Sequence, residues 1–81
     1  MTLKYFRRLS EPHQYKRLLT KGVCIGERIY HDALLLLFQL DEFYVEITFH
    51  NDTDELMSTR SFDDIEQLDP YLEQIKIPHL L

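Results

Sequence analysis

The sequence predicts an α+β fold: a four-stranded antiparallel β-meander flanked by an N-terminal helix and a broken C-terminal helix. Three observations carry that expectation. Residues 33–49 read as a hairpin, in which an almost unbroken apolar strand is followed by one where Phe43, Val45, Ile47 and Phe49 alternate with polar neighbours. A strand apolar on both faces beside one apolar on a single face belongs in the middle of a small antiparallel sheet. Helical spacing appears only toward the ends, in Tyr15, Leu18 and Leu19 and again in Ile65, Leu68, Tyr71, Leu72 and Ile75. The length of 81 residues is that of a single α+β domain, 1–81, with a core able to fold alone and little stability in reserve.

Each element has its own local cause. Residues 2–9 supply a first helical turn, with Leu3, Phe6 and Leu9 on one face. Ser10, Glu11 and Pro12 form a helix start, with Ser10 as N-cap, an acid at the positive end of the dipole and Pro in the first turn. Lys21 and Gly22 end that helix. Residues 23–31 read as a strand with Val23, Ile25 and Ile29 on one side, and Gly26 and Glu27 mark a bulge. His31-Asp32 and Asp41-Glu42 make the next two turns, and residues 50–55, without an apolar side chain, make the third. Leu56–Phe62 is the fourth strand. Asp63 and Asp64 cap the C-terminal helix, and Pro70 divides it into two pieces, with Asp69 capping the second. The apolar residues 77–81 are expected to dock on the core.

A two-residue turn at Asp41-Glu42 sets the register: Leu40 opposite Phe43, Phe38 opposite Val45, Leu36 opposite Ile47 and Leu34 opposite Phe49. In the third hairpin, Phe49 is expected to meet Met57, Ile47 to meet Thr59, and Glu46 to meet Arg60. The first sheet face is then continuously apolar and is the expected seat of both terminal helices, with Leu18, Leu68 and Leu72 above Leu36, Phe38, Val45, Ile47 and Phe49. The second face carries Leu35, Leu37 and Gln39 beside Tyr44, Glu46 and Thr48. Either one helix crosses to cover it or a second copy does.

Charge is divided along the chain. Residues 1–21 hold six of the nine basic side chains and one acid, a net of +5, while residues 22–81 hold three basic and thirteen acidic ones, a net of −10. The simplest expectation is that the basic segment packs beside the acidic remainder. Arg7, Arg8, Lys16 and Arg17 are the candidates for a phosphate contact if it does not.

No chemistry is legible. His13, His31, His50 and His79 lie in four separate segments and never at the spacing of a helical metal pair. Asp52, Asp54 and Glu55 lack the Gly and distal Glu of a calcium loop. Cys24 is the single cysteine, and the only glycines, Gly22 and Gly26, build no phosphate loop. No metal, cofactor or enzymatic activity is expected. The single thiol suits a reducing cytoplasm, residues 1–9 are not followed by a continuous apolar segment, and the longest apolar run, residues 33–38, is far too short to span a membrane. The expected function is therefore a small cytoplasmic protein-interaction or assembly module. Its interaction surface is drawn from Leu35, Leu37, Tyr44, Glu46, His50 and Arg60, with Ser58, Arg28 and Tyr30 extending the polar strip, and it is expected to form a homodimer or bind a protein partner. The alternative is an accessory domain that contacts nucleic acid through the basic N-terminal segment.

Overall fold

The computed structural model describes residues 1–53 and 55–72, with the backbone alone for Met57. The elements run α1 (Leu3–Arg8), α2 (Glu11–Lys21), β1 (Val23–Tyr30), β2 (Ala33–Leu40), β3 (Phe43–His50), β4 (Leu56–Phe62) and a 3-10 helix (Ile65–Tyr71). The four strands form one antiparallel sheet in the order β1-β2-β3-β4, as the alternation and the short turns require. Among the described residues, no helix is long and apolar enough to cross a membrane.

The central hairpin has the register read from its turn: Leu40, Phe38, Leu36 and Leu34 lie opposite Phe43, Val45, Ile47 and Phe49. Its first turn residue, Asp41, and the equivalent His31 in the β1–β2 turn both adopt φ 54. Asp and His are among the few side chains that accept this left-handed conformation, so these turns close without Gly or Asn. The third hairpin places Glu46 opposite Arg60 and Ile47 opposite Thr59, but Phe49 meets Leu56, not Met57. Met57 is the extra residue of a bulge, which a strict two-residue alternation does not anticipate.

A second bulge changes the faces of β1. The register shifts between Cys24 and Gly26, so Ile25 is the extra residue. Val23, Ile25 and Ile29 consequently do not share a side. Val23 lies opposite Gln39 and Ile25 packs with the second-face cluster, whereas Ile29 lies opposite Leu34 on the first face. The same shift puts Arg28 on the second face, opposite Leu35.

Helices α1 and α2 cover the first face. Phe6 and Leu18 enter a cluster with Leu40, Phe43, Val45 and Ile47, and the Phe6 and Phe43 rings lie 5.3 Å apart. Thr2 caps α1 by accepting the Tyr5 amide at 3.1 Å. Ser10 stands at the N-cap of α2, but its hydroxyl bonds the His13 ring nitrogen at 2.7 Å and not a backbone amide. Gly22 ends α2 by donating its backbone N–H to the Leu18 carbonyl, and a Cβ at Gly22 would lie 2.7 Å from that oxygen. Close approach is what requires glycine here. Leu36, Phe38 and Phe49 are only half-buried, and Leu19 is exposed, because the two short helices do not span the whole face.

The C-terminal element crosses to the second face. Leu68 belongs there, in a cluster with Leu37, Phe62 and Tyr71, and Leu72 is exposed. α1 and α2 occupy the first face over Val45 and Ile47, and the 3-10 helix packs on the apolar area offered by Leu37 and Phe62 on the other. The element is a 3-10 helix that runs through Pro70, not two α-helical pieces divided there. Asp64 caps it, accepting the Glu66 amide at 3.0 Å. In a three-residue period Leu68 and Tyr71 eclipse, so both point at the sheet. Ile75 and the docking expected of residues 77–81 lie outside the described residues.

Candidate functional site

The second face is built around one buried carboxylate. Glu46 projects from the middle of β3 and is 6% exposed. Its Oε2 accepts a 2.6 Å hydrogen bond from the Tyr71 hydroxyl, and the Arg28 guanidinium lies 3.9 Å from the same oxygen. Its Oε1 faces Arg60 at 3.4 Å, and Arg60 also bonds Gln67. Three strands and the 3-10 helix therefore meet at one side chain. A carboxylate removed from water at this depth requires compensating donors, and two guanidiniums and a phenol provide them.

Each donor is positioned by a local feature. Arg60 faces Glu46 because they are cross-strand neighbours. Arg28 reaches the same face because of the Ile25 bulge, and its guanidinium lies between the rings of Tyr30, 5.7 Å away, and Tyr71, 5.4 Å away. Arg28 Nε is buried without a hydrogen-bond partner among the described residues. Arg60 stacks on Phe62 at 4.8 Å, and the Phe62 ring lies 5.8 Å from that of Tyr44. Burial, then the hydrogen bond to the Glu46 carboxylate, pushes the Tyr71 hydroxyl up from 10.0 to about 12, against the opposing charge of Arg28. Tyr71 is thus a neutral donor at every ordinary pH.

Both oxygens of Glu46 are engaged within the chain, whereas acid–base work requires a carboxylate within reach of a substrate proton. What this arrangement does chemically is tie the 3-10 helix to the sheet. The structure brings together Tyr44, Glu46 and Arg60, with Arg28 and Tyr30, as the strip anticipates. His50 stands apart at the end of β3, where its ring accepts the Asp52 amide at 3.3 Å, and Ser58 is exposed on β4. Leu37 is fully buried and Leu35 is 7% exposed. Of the two ways to cover that face, the chain uses its own 3-10 helix over Leu37. The geometric ground for placing a second copy on Leu35 and Leu37 is thereby removed, and these residues are interior. Tyr71 and Gln67 complete the site without being anticipated. Tyr71 was hidden in an apolar stripe, and Gln67 carries no sequence signal at all.

The basic segment packs beside the sheet, and Arg7, Arg8, Lys16 and Arg17 are all exposed. Arg7 donates to Ser61 on β4, from Nε to the hydroxyl at 3.1 Å and from Nη2 to the carbonyl at 2.7 Å. Arg8, Lys16 and Arg17 are exposed and form no ion pair with a described residue. Among the described residues, no group of three or more His, Cys, Asp or Glu side chains is assembled as a metal site. Cys24 is exposed, on β1.

The remaining surface is uneven at the two sheet edges. On β4, Ser58, Thr59, Arg60 and Ser61 are polar, and α1 clamps the strand through Arg7. On β1, Val23 is 62%, Ile29 68% and Tyr30 59% exposed, and no described strand pairs with its outer edge.

Compared with known proteins, the chain matches no family model, no curated protein and no solved structure.

Proposed function

We propose that this chain is a small cytoplasmic protein-interaction module, not an enzyme, and that its partner engages the outer edge of β1. The observation that carries the reading is the contrast between the edges: β1 exposes Val23, Ile29 and Tyr30 on an edge with which no described strand pairs, while β4 is polar and clamped. An exposed apolar edge strand is a template for strand addition, in which backbone hydrogen bonds supply affinity and side chains supply specificity. The test is a photo-crosslinking residue placed at Ile29 or at Ser58 in cells. The reading expects a discrete adduct from position 29 and none from position 58. Equal labelling from both positions, or none from 29, would defeat it.

A second reading, contact with nucleic acid through the basic helices, is favoured by the exposed charges of Arg8, Lys16 and Arg17, which form no ion pair with a described residue. It expects binding to a single-stranded or duplex probe that falls steeply as salt rises. Binding that is absent at low salt would end this reading without touching the first.

A further inference from the structure

We infer that the strand added to β1 is the β1 of a second copy of this chain, antiparallel about a two-fold axis at Ile29. The inference rests on the reading of β1 as the partner edge and names the partner. In such a pair, opposed residues lie on the same sheet face, so the sequence of β1 decides which centres are admissible. The bulge at Ile25 breaks the ladder in the first half of the strand and leaves Glu27 to Tyr30 as its regular length. A centre at Glu27 sets two carboxylates against each other and brings the bulge into the seam. A centre at Arg28 opposes two guanidiniums, and like charges directly opposite are destabilising. A centre at Tyr30 moves the seam onto His31, whose φ of 54 ends the extended backbone.

A centre at Ile29 meets none of these obstacles. Ile29 then covers Ile29 of the second copy on the first face, beside the half-buried Leu34. On the second face Arg28 lies opposite Tyr30 of the second copy. Arg28 already holds its guanidinium over a Tyr30 ring within its own strand, so the two groups suit one another. Self-pairing therefore supplies an apolar contact on one face and a cation–ring contact on the other, and sets no like charges directly opposite.

Light scattering of the purified full chain from micromolar to millimolar concentration is the first test. The mass is expected to rise from one chain to two. Ile29→Lys is expected to remain a single chain with an unchanged circular-dichroism melt. The register is tested by oxidation in a Cys24→Ser background. Ile29→Cys is expected to form a covalent dimer, since opposed residues place their Cα atoms roughly 4.5–5.5 Å apart. Glu27→Cys, its Cα atoms roughly 13 Å apart in this seam, is expected not to. A chain that stays single throughout, or a Glu27→Cys variant that cross-links as readily as Ile29→Cys, overturns the inference. If the chain stays single yet position 29 photo-labels a different protein, the second copy is wrong and β1 remains the partner edge. If position 29 labels nothing, both fail.

Discussion

The edges β1 and β4 belong to the same sheet and have nearly equal lengths, yet the chain treats them oppositely. β4 is followed at once by the 3-10 helix, is flanked by α1, and has Ser61 held by two hydrogen bonds from Arg7. β1 follows α2 after a single glycine, and no described strand pairs with its outer side. The exposure of Ile29 is a product of the Ile25 bulge, which turns it onto the first face beyond the reach of the short helices. The difference teaches that an edge is closed by what the chain happens to bring beside it. A single extra residue decides which side chains the other edge displays.

The largest way to disturb this contrast is to remove the lid near β4. Phe6 is fully buried against Phe43, and Phe6→Ala should cost about 3–5 kcal/mol in urea denaturation. Hydrogen exchange should then accelerate first at β4, making the two edges alike. A variant with near-wild-type stability would mean that α1 does not secure that edge.

Next comes the clamp that links the inner side of β1 to β4. Tyr71→Phe removes a hydrogen bond to a buried carboxylate and should cost about 1.5–3 kcal/mol at neutral pH. The folded hydroxyl titrates at about 12 against 10.0 when unfolded. Because the folded value is the higher, this contribution is complete below pH 10 and is lost as pH rises through 12, about 2–3 kcal/mol in all. The gap between wild type and Tyr71→Phe should therefore narrow across that interval. A gap independent of pH would show that the hydroxyl is not held as described.

A smaller effect is expected at the β4 surface. Arg7→Ala loses both bonds to Ser61 and should cost about 1 kcal/mol, with local exchange at Ser61 rising more than global stability falls. The smallest belongs to β1. Ile29→Lys should change stability by no more than about 0.5 kcal/mol, because the side chain is largely in water already. A markedly destabilised Ile29→Lys would place Ile29 in the core and dissolve the contrast.

The parts of this fold that could be read from sequence are those governed by short-range rules. The β2–β3 register follows from a two-residue turn and from side chains that alternate, and every pair from Leu34–Phe49 to Leu40–Phe43 obeys it. Glu46 opposite Arg60 follows once Ile47 is set against Thr59, a pairing that the longer turn at residues 50–55 does not itself fix. The crossing of the C-terminal element was not, because β2 is apolar on both faces and Leu68 has a suitable place on either. The β1 bulge was legible from Gly26, one residue from the extra Ile25, whereas the bulge at Met57 carries no glycine and escapes a period of two. Tyr71 escaped because an amphipathic stripe gives its ring a complete explanation and leaves its hydroxyl unaccounted for.

The strand order β1-β2-β3-β4 also has a kinetic consequence. Every pairing joins neighbours in sequence, so the sheet can assemble by closing short loops, which favours rapid folding. The 3-10 helix has no such local route, since Tyr71 meets Glu46 across 25 residues and needs β3 already aligned with β4. It should dock after the rate-limiting barrier. Tyr71→Phe is then expected to quicken unfolding and leave the folding rate almost unchanged, whereas Val45→Ala should slow folding itself. In stopped-flow denaturant jumps, a folding limb slowed by Tyr71→Phe would reverse that order and make the latch part of the nucleus.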